Sequence, residues 1–267
     1  MNKAVVDLDW GDGITLPIVV GVEFSDDVSF FTLEKNSQAV RAVCVEHVIG
    51  HNTEHSVLDV ELHQIRGVLD MTNSIHNLTL HRKQLLTVTS DGSLLDFVSR
   101  YVFPKEMFTT AQIGDVTIEH RGVNVYYQYH ANHQVKLFGP KGEVCIQLHG
   151  WSGEGFQPFI YVRDEPTRWI VHIRLLPIRA TKNQVVVKYN SRWYNKALPP
   201  FIQRIIPTFI KNKLLYQGER KRPWTFIEKL FYYLFPFSAY PLGEVARSTI
   251  LSIDSSCSFI ANESMTP

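Results

Sequence analysis

The residues best suited to chemistry are histidines lying beside two turn signals. Gly139-Pro140-Lys141-Gly142 separates VKLF from EVCIQLH. Antiparallel pairing about that turn makes partner numbers sum to about 281. His149 is then expected opposite Asn132, next to His133 and near His130. A second turn, Asp164-Glu165-Pro166-Thr167, gives sums of about 331 and sets His172 opposite Phe159 on a neighbouring hairpin. Imidazoles gathered in this way move protons near neutral pH or hold a divalent cation. His149 and His172 are therefore the acid–base candidates. Tyr126 is the hydroxyl donor expected on the same face as His149, opposite to that of Tyr127 and Tyr129. The sequence assigns no metal and no cofactor; were a metal bound, His130, His133 and His149 would be its ligands.

Other constellations carry less. His47, His51 and His55 recur every four residues, a ligand spacing only on a helix, and Gly50 with the valine-rich run before it argues against one there. CIQLHGW, residues 145–151, is similar to the second half of a Rieske iron–sulfur motif. Three residues rather than two separate Cys145 from His149, and a ligand displaced by one position on a strand faces the wrong way. The chain has neither a dinucleotide fingerprint nor a phosphate loop nor a nucleophile elbow. Gly150, Gly153 and Gly155 mark a loop that could border a pocket.

Phe, Tyr and Trp make up 12% of the chain. Such ring density fits a β-walled cavity for an apolar small molecule: a lipid, an isoprenoid or a polyketide-like compound. Tyr127, Tyr129, Trp151, Phe159, Tyr161 and Trp169 are the expected lining. The same cavity could serve a cyclase, isomerase or hydratase using His/Tyr acid–base groups. The sequence does not separate binder from enzyme.

Positioning these residues requires strands. β-branched and aromatic runs dominate the first ninety residues, and residues 114–194 read as a meander. A helix is expected over 93–103, because Leu94, Phe97, Val98 and Tyr101 fall at helical spacing before Pro104. Phe201/Ile202, Ile205/Ile206 and Phe209/Ile210 repeat every four residues, with Pro207 kinking or splitting the helix. A further helix is expected around Ile227, Leu230, Phe231 and Leu234. This order predicts an α+β, antiparallel β-rich fold: a curved, helix-grip-like sheet with C-terminal helices. A lipocalin-like barrel or paired barrels is the alternative. Residues 1–250 are read as one β-rich domain, divisible at 110/111, and 251–267 as a flexible polar tail.

Net charge is +1, but it is unevenly spread. Residues 174–230 hold 13 Lys and Arg against Glu219 and Glu228, while residues 1–173 hold 13 against 21 acidic groups. Basic residues interleaved with rings over 193–237 suit an anionic membrane surface; nucleic acid is disfavoured because no binding-module signature accompanies them. The N-terminus lacks a secretory pattern, and the three cysteines form no close pair, so a cytoplasmic chain with peripheral membrane contact as its alternative is expected.

Overall fold

In the computed structural model, residues 4–9, 15–26, 30–32, 41–121, 125–129, 133–178, 185–191, 194–214, 225–234 and 237–261 are described. Two antiparallel sheets dominate. One contains β1 (Ala4–Asp9), β2 (Thr15–Ser25), β9 (Asp96–Pro104), β16 (Arg168–Pro177), β15 (Phe156–Glu165) and β12 (Val125–Tyr129), in that order, with β3 (Phe30–Thr32) also on β2. The other runs β11 (Val116–Glu119), β10 (Thr110–Ile113), β13 (Gln134–Gly139), β14 (Gly142–Ser152), β21 (Ile250–Ala261), β7 (Thr79–Val88), β6 (Arg66–His76), β5 (Thr53–Glu61), β4 (Arg41–Ile49). A short pair joins β8 (Gly92–Leu94) to β20 (Gly243–Val245).

The two large sheets share one apolar core. On β7, Leu80, Leu86 and Val88 point inward with Arg82 and Gln84, while His81 and Lys83 face water. That is the period-two pattern of a sheet with one wet face. From the other sheet come Ile18, Val20, Val22, Phe24, Phe97, Phe103, Trp169, Val171 and Ile173. A polar bridge crosses this core. The Arg82 guanidinium, 2% exposed, donates to Ser99 Oγ (3.1 Å) and to the carbonyls of Arg100 (3.0 Å) and Gly21 (3.2 Å). It also lies 5.0 Å from the Tyr101 ring centre, and the Tyr101 hydroxyl reaches Ser255 Oγ at 2.8 Å. These bonds tie β7 and β21 to β2 and β9 and fix the backbone beneath Gly21 and Arg100.

The α+β expectation is overturned. Among the described residues strand predominates, helix is confined to three short segments, and no sheet closes into a barrel, so neither the helix-grip nor the barrel reading holds. Residues 93–94 and 96–103 are strand, and no helix forms there. The reason is burial on both faces: Phe97 and Tyr101 point into the core while Val98 (1% exposed) and Val102 (7%) are covered on the other side. A strand buried twice reads as a continuous apolar run, which mimics helical spacing. The expected tail from 251 is also corrected: β21 lies between β14 and β7. Its serines and aspartate suggested a frayed end, but Leu251, Ile253, Cys257 and Phe259 alternate inward.

A third, smaller sheet is made of β18 (Tyr194–Ala197), β17 (Val185–Ser191) and β19 (Phe237–Pro241). Helix α1 (Pro200–Ile205) is followed by Pro207 and α2 (Thr208–Leu214); α3 is Phe226–Leu234. Ile206 and Leu198 pack against Val185, Val187 and Ala239. Gln203 locks α1 onto β17 by accepting from the Val187 N–H (3.0 Å) and donating to the Val187 carbonyl (2.8 Å).

Trp169 distinguishes core from ligand wall. It is fully buried, and its indole N–H donates to the Phe108 carbonyl at 2.9 Å. Trp169→Ala is expected to lower stability by about 3–5 kcal/mol. Trp169→Phe, which mainly orphans that carbonyl, should cost about 1–2 kcal/mol. Urea unfolding measures both; a Trp169→Ala protein as stable as the parent would refute this packing.

Candidate functional site

The site is built on the outer face of the seven-stranded sheet. Cross-strand register aligns Gly21, Arg100, His172, Tyr161 and Gln128 in one row across β2, β9, β16, β15 and β12. The next row carries Glu23, Val98, Arg174 and Phe159. Residues directly opposite in such a ladder hold their Cβ atoms about 4.5–5.5 Å apart. Arg100 and Tyr161 therefore flank His172 on either side, and Arg174 lies two residues along the same strand face.

This outer face is covered. Phe159, Tyr161 and Ile170 are buried although they point away from the sandwich core. Tyr240 of β19 is among the groups that favour the charge on Arg174.

Burial forces charges into pairs. Arg100 Nη1 meets Glu23 Oε1 at 2.7 Å. Arg174 Nη2 meets Asp96 Oδ2 at 2.5 Å, while Ser25 Oγ donates to Asp96 Oδ1 at 2.6 Å. Glu165 receives Arg163 at 2.9 Å and Arg168 at 2.5 Å. Burial opposes the charge on Arg174, but Asp96 outweighs it and raises its pKa above the ordinary guanidinium value.

His172 is the exception within this network. Its Nε2 is buried and has no hydrogen-bond partner among the described residues. Its ring stacks on Tyr161, centroids 5.1 Å apart and 26° from parallel. Burial, followed by the charges of Arg174, Arg100 and Arg163, holds its pKa well below the usual imidazole value. The ring is thus neutral at physiological pH. Arg174 Nε, on the same strand face, is also buried without a hydrogen-bond partner among the described residues. An imidazole nitrogen and a guanidinium N–H two residues apart on one strand face are the kinds of group that a hydroxyl serves, donating to one and accepting from the other.

The structure separates the other expected site residues. The sum of about 281 matches the observed pairing of Gln134 with Gln147, and the Leu148 N–H donates to the His133 carbonyl. His149 is one residue further on, so it lies on the opposite strand face, on the outside of the nine-stranded sheet. There its Nε2 is 2.7 Å from Ser256 Oγ and its ring 6.4 Å from that of His81. His133 packs edge-on against the exposed Trp151, centroids 5.4 Å apart. An open cleft of about 340 Å³ nearby is lined by Gln112, Gly114, His133, Gln134 and Lys136, and its character is polar.

Tyr126 pairs with Arg163 in the seven-stranded sheet, so it does not share a sheet with His149. Tyr127 and Tyr129 pair with Val162 and Ile160. His130 lies outside the described residues. Phe159 and Tyr161 join His172, whereas Trp169 belongs to the core. His47 and His55 sit on strands, where Glu54 and Asp70 engage them at 3.1 and 3.0 Å. Among the described residues no group of three or more His, Cys, Asp or Glu could hold a metal ion.

Sequence reasoning missed Arg100, Arg163, Arg174, Glu23, Asp96 and Glu165. Their signal is charge placed inside apolar strand runs, as in FVSRYVF and IVHIRLL. A charged residue alternating with buried neighbours on a twice-buried strand must find a partner there.

No family model matches the chain, and no curated protein does. Among solved structures it is similar to the crystal structure of a candidate aldose 1-epimerase from Escherichia coli K12. The similarity covers 97% of this chain and 93% of that one, at 9% identity and a TM-score of 0.48. None of that protein's chemistry is carried over on this likeness.

The depressed His172 pKa makes stability depend on pH with a definite sign. The unfolded chain protonates this ring below about pH 6.5, whereas the folded chain keeps it neutral to lower pH. Stability is therefore expected to fall as pH drops below about 6.5, by up to about 1.4 kcal/mol per pH unit from this group. His172→Leu should remove that component, measured by urea unfolding at several pH values between 5 and 7.5. An unchanged pH dependence in the variant would contradict the assignment.

Proposed function

We propose that this chain is an acid–base enzyme of the isomerase type, acting on a hydroxyl-bearing polar substrate at the outer face of the seven-stranded sheet. The observation that carries this reading is the buried His172 Nε2 without a hydrogen-bond partner among the described residues, with Arg174 Nε, two residues along the same strand face, in the same condition. Buried polar groups are nearly always paired, and the exceptions concentrate where a ligand completes them.

The chemistry follows from the electrostatics. A substrate hydroxyl placed between the two groups gives its proton to neutral His172 while its oxygen is held by Arg174. The guanidiniums of Arg100, Arg163 and Arg174 favour the developing oxyanion, as fixed charges in a site shielded from water do. The same cations make imidazolium costly, so His172 returns the proton rather than keeping it. A group that takes and returns one proton suits isomerisation better than hydrolysis. Tyr161, stacked on the ring, keeps its plane fixed.

A polar substrate fits better than an apolar one. The groups that face the proposed substrate, His172 and the arginines beside it, are polar or charged, and they suit hydroxyl and carbonyl oxygens rather than hydrocarbon.

The test is a panel of aldoses and hydroxy-carbonyl compounds followed by NMR, reading both anomeric exchange and uptake of solvent deuterium. Turnover of at least one class is expected, reduced 100-fold or more in His172→Gln, within the range of general acid–base contributions of about 10²–10⁴. Turnover unaffected by that substitution, or none across the panel, would overturn the proposal.

A further inference from the structure

The C-terminal helices present apolar faces that their own fold does not use. In α1 the inward contacts are taken by Gln203, on β17, and by Ile206 just beyond the helix, on Val185, Val187 and Ala239. Phe201 (69% exposed) and Ile205 (74%) point the other way, and Phe209 of α2 (63%) continues them. The four-residue repeat read from the sequence is therefore divided between an inward edge and an outward one.

Helix α3 repeats the pattern more fully. Phe226, Ile227, Leu230, Tyr233 and Leu234 are all exposed. At 100° per residue they fall within an arc of about 120°, a single apolar face about 14 Å long. Large exposed apolar patches mark contact surfaces rather than ordinary solvent-facing structure.

Charge selects the occupant. Arg204 ends α1 and is exposed, and the surrounding sequence adds Lys211, Lys213, Arg220, Lys221, Arg222 and Lys229. Over 200–234 there are seven basic residues and two acidic ones. A second copy of this surface would bring the same positive charge and be repelled. An anionic bilayer supplies both complements at once: phosphate and carboxylate headgroups for the cations, acyl chains for the rings. Among the described residues no helix is long and apolar enough to cross a membrane.

We infer that α1, α2 and α3 form a docking surface for an anionic phospholipid bilayer, with the outward apolar residues inserted at the headgroup boundary. This contact is independent of the chemistry at His172, and its success or failure leaves that reading untouched.

Sedimentation of the full chain with vesicles tests it. Binding is expected to phosphatidylcholine vesicles containing 30% phosphatidylserine, weakened at least tenfold without phosphatidylserine or in 0.5 M NaCl. The exposed-position variants Ile227→Glu/Leu230→Glu and Phe201→Ser/Ile205→Ser should each weaken binding at least tenfold, with the parent's circular dichroism and unfolding midpoint retained. Absence of binding to the anionic vesicles would overturn the inference. Binding that the apolar substitutions leave unchanged would overturn it too, since the helices would then not insert. A parent chain that is dimeric in light scattering, and monomeric in those variants, would assign the surface to self-association instead.

Discussion

The centre of the seven-stranded sheet is buried on both sides, and most of what distinguishes this protein follows from that constraint. β9 and β16 present Phe97, Tyr101, Phe103, Trp169 and Val171 to the core of the sandwich. On the other side the same strands carry Arg100, His172 and Arg174 among Val98, Val102 and Ile170. An outer face of this kind would tolerate its charges in water. Covered, it must match each guanidinium with a carboxylate, and the three pairs with Glu23, Asp96 and Glu165 do so. Against that completeness His172 stands out. It is neutral because burial and the neighbouring cations make a further positive charge too costly.

The two sides of the sheet are mechanically connected through Arg82. Its guanidinium reaches from β7 across the core to the carbonyls of Gly21 and Arg100. These residues lie in the same cross-strand row as His172. The row is thus anchored from beneath by a buried cation whose donors go to two backbone carbonyls, Ser99 Oγ and Asn73 Oδ1. Burial lowers the pKa of Arg82, yet its contacts are those of a guanidinium that keeps its donors. Replacement by a neutral side chain would leave two backbone carbonyls, the Ser99 hydroxyl and the Asn73 amide oxygen without this partner.

How much of this the sequence carried depends on the element. The first hairpin register was legible because a tight turn fixes it: Gly139 pairs with Gly142. The second was displaced by two, since Glu165 pairs with Arg168 and His172 meets Tyr161 instead of Phe159. A two-residue slip keeps every side chain on its face, so His172 and Phe159 still share one. His149 and Tyr126 failed as a pair because nothing local announces that β12 leaves the β13–β14 hairpin for the other sheet. β9 was read as a helix because burial on both faces erases the period of two, and β21 as a tail because its serines masked an alternation that was present. The ion pairs bring together residues as distant as Glu23 and Arg100, which spacing along the chain does not reveal.

His172 is a neutral imidazole whose Nε2 is buried without a hydrogen-bond partner among the described residues. Nitrogen-15 chemical shifts of a histidine-labelled protein report the protonation of each ring nitrogen directly. The His172 ring is expected to show one protonated and one bare nitrogen unchanged from pH 8 to pH 5.5. A His172 signal that titrates to imidazolium with a midpoint near that of a free histidine would contradict the burial, the influence of the arginines and the proton-transfer role together.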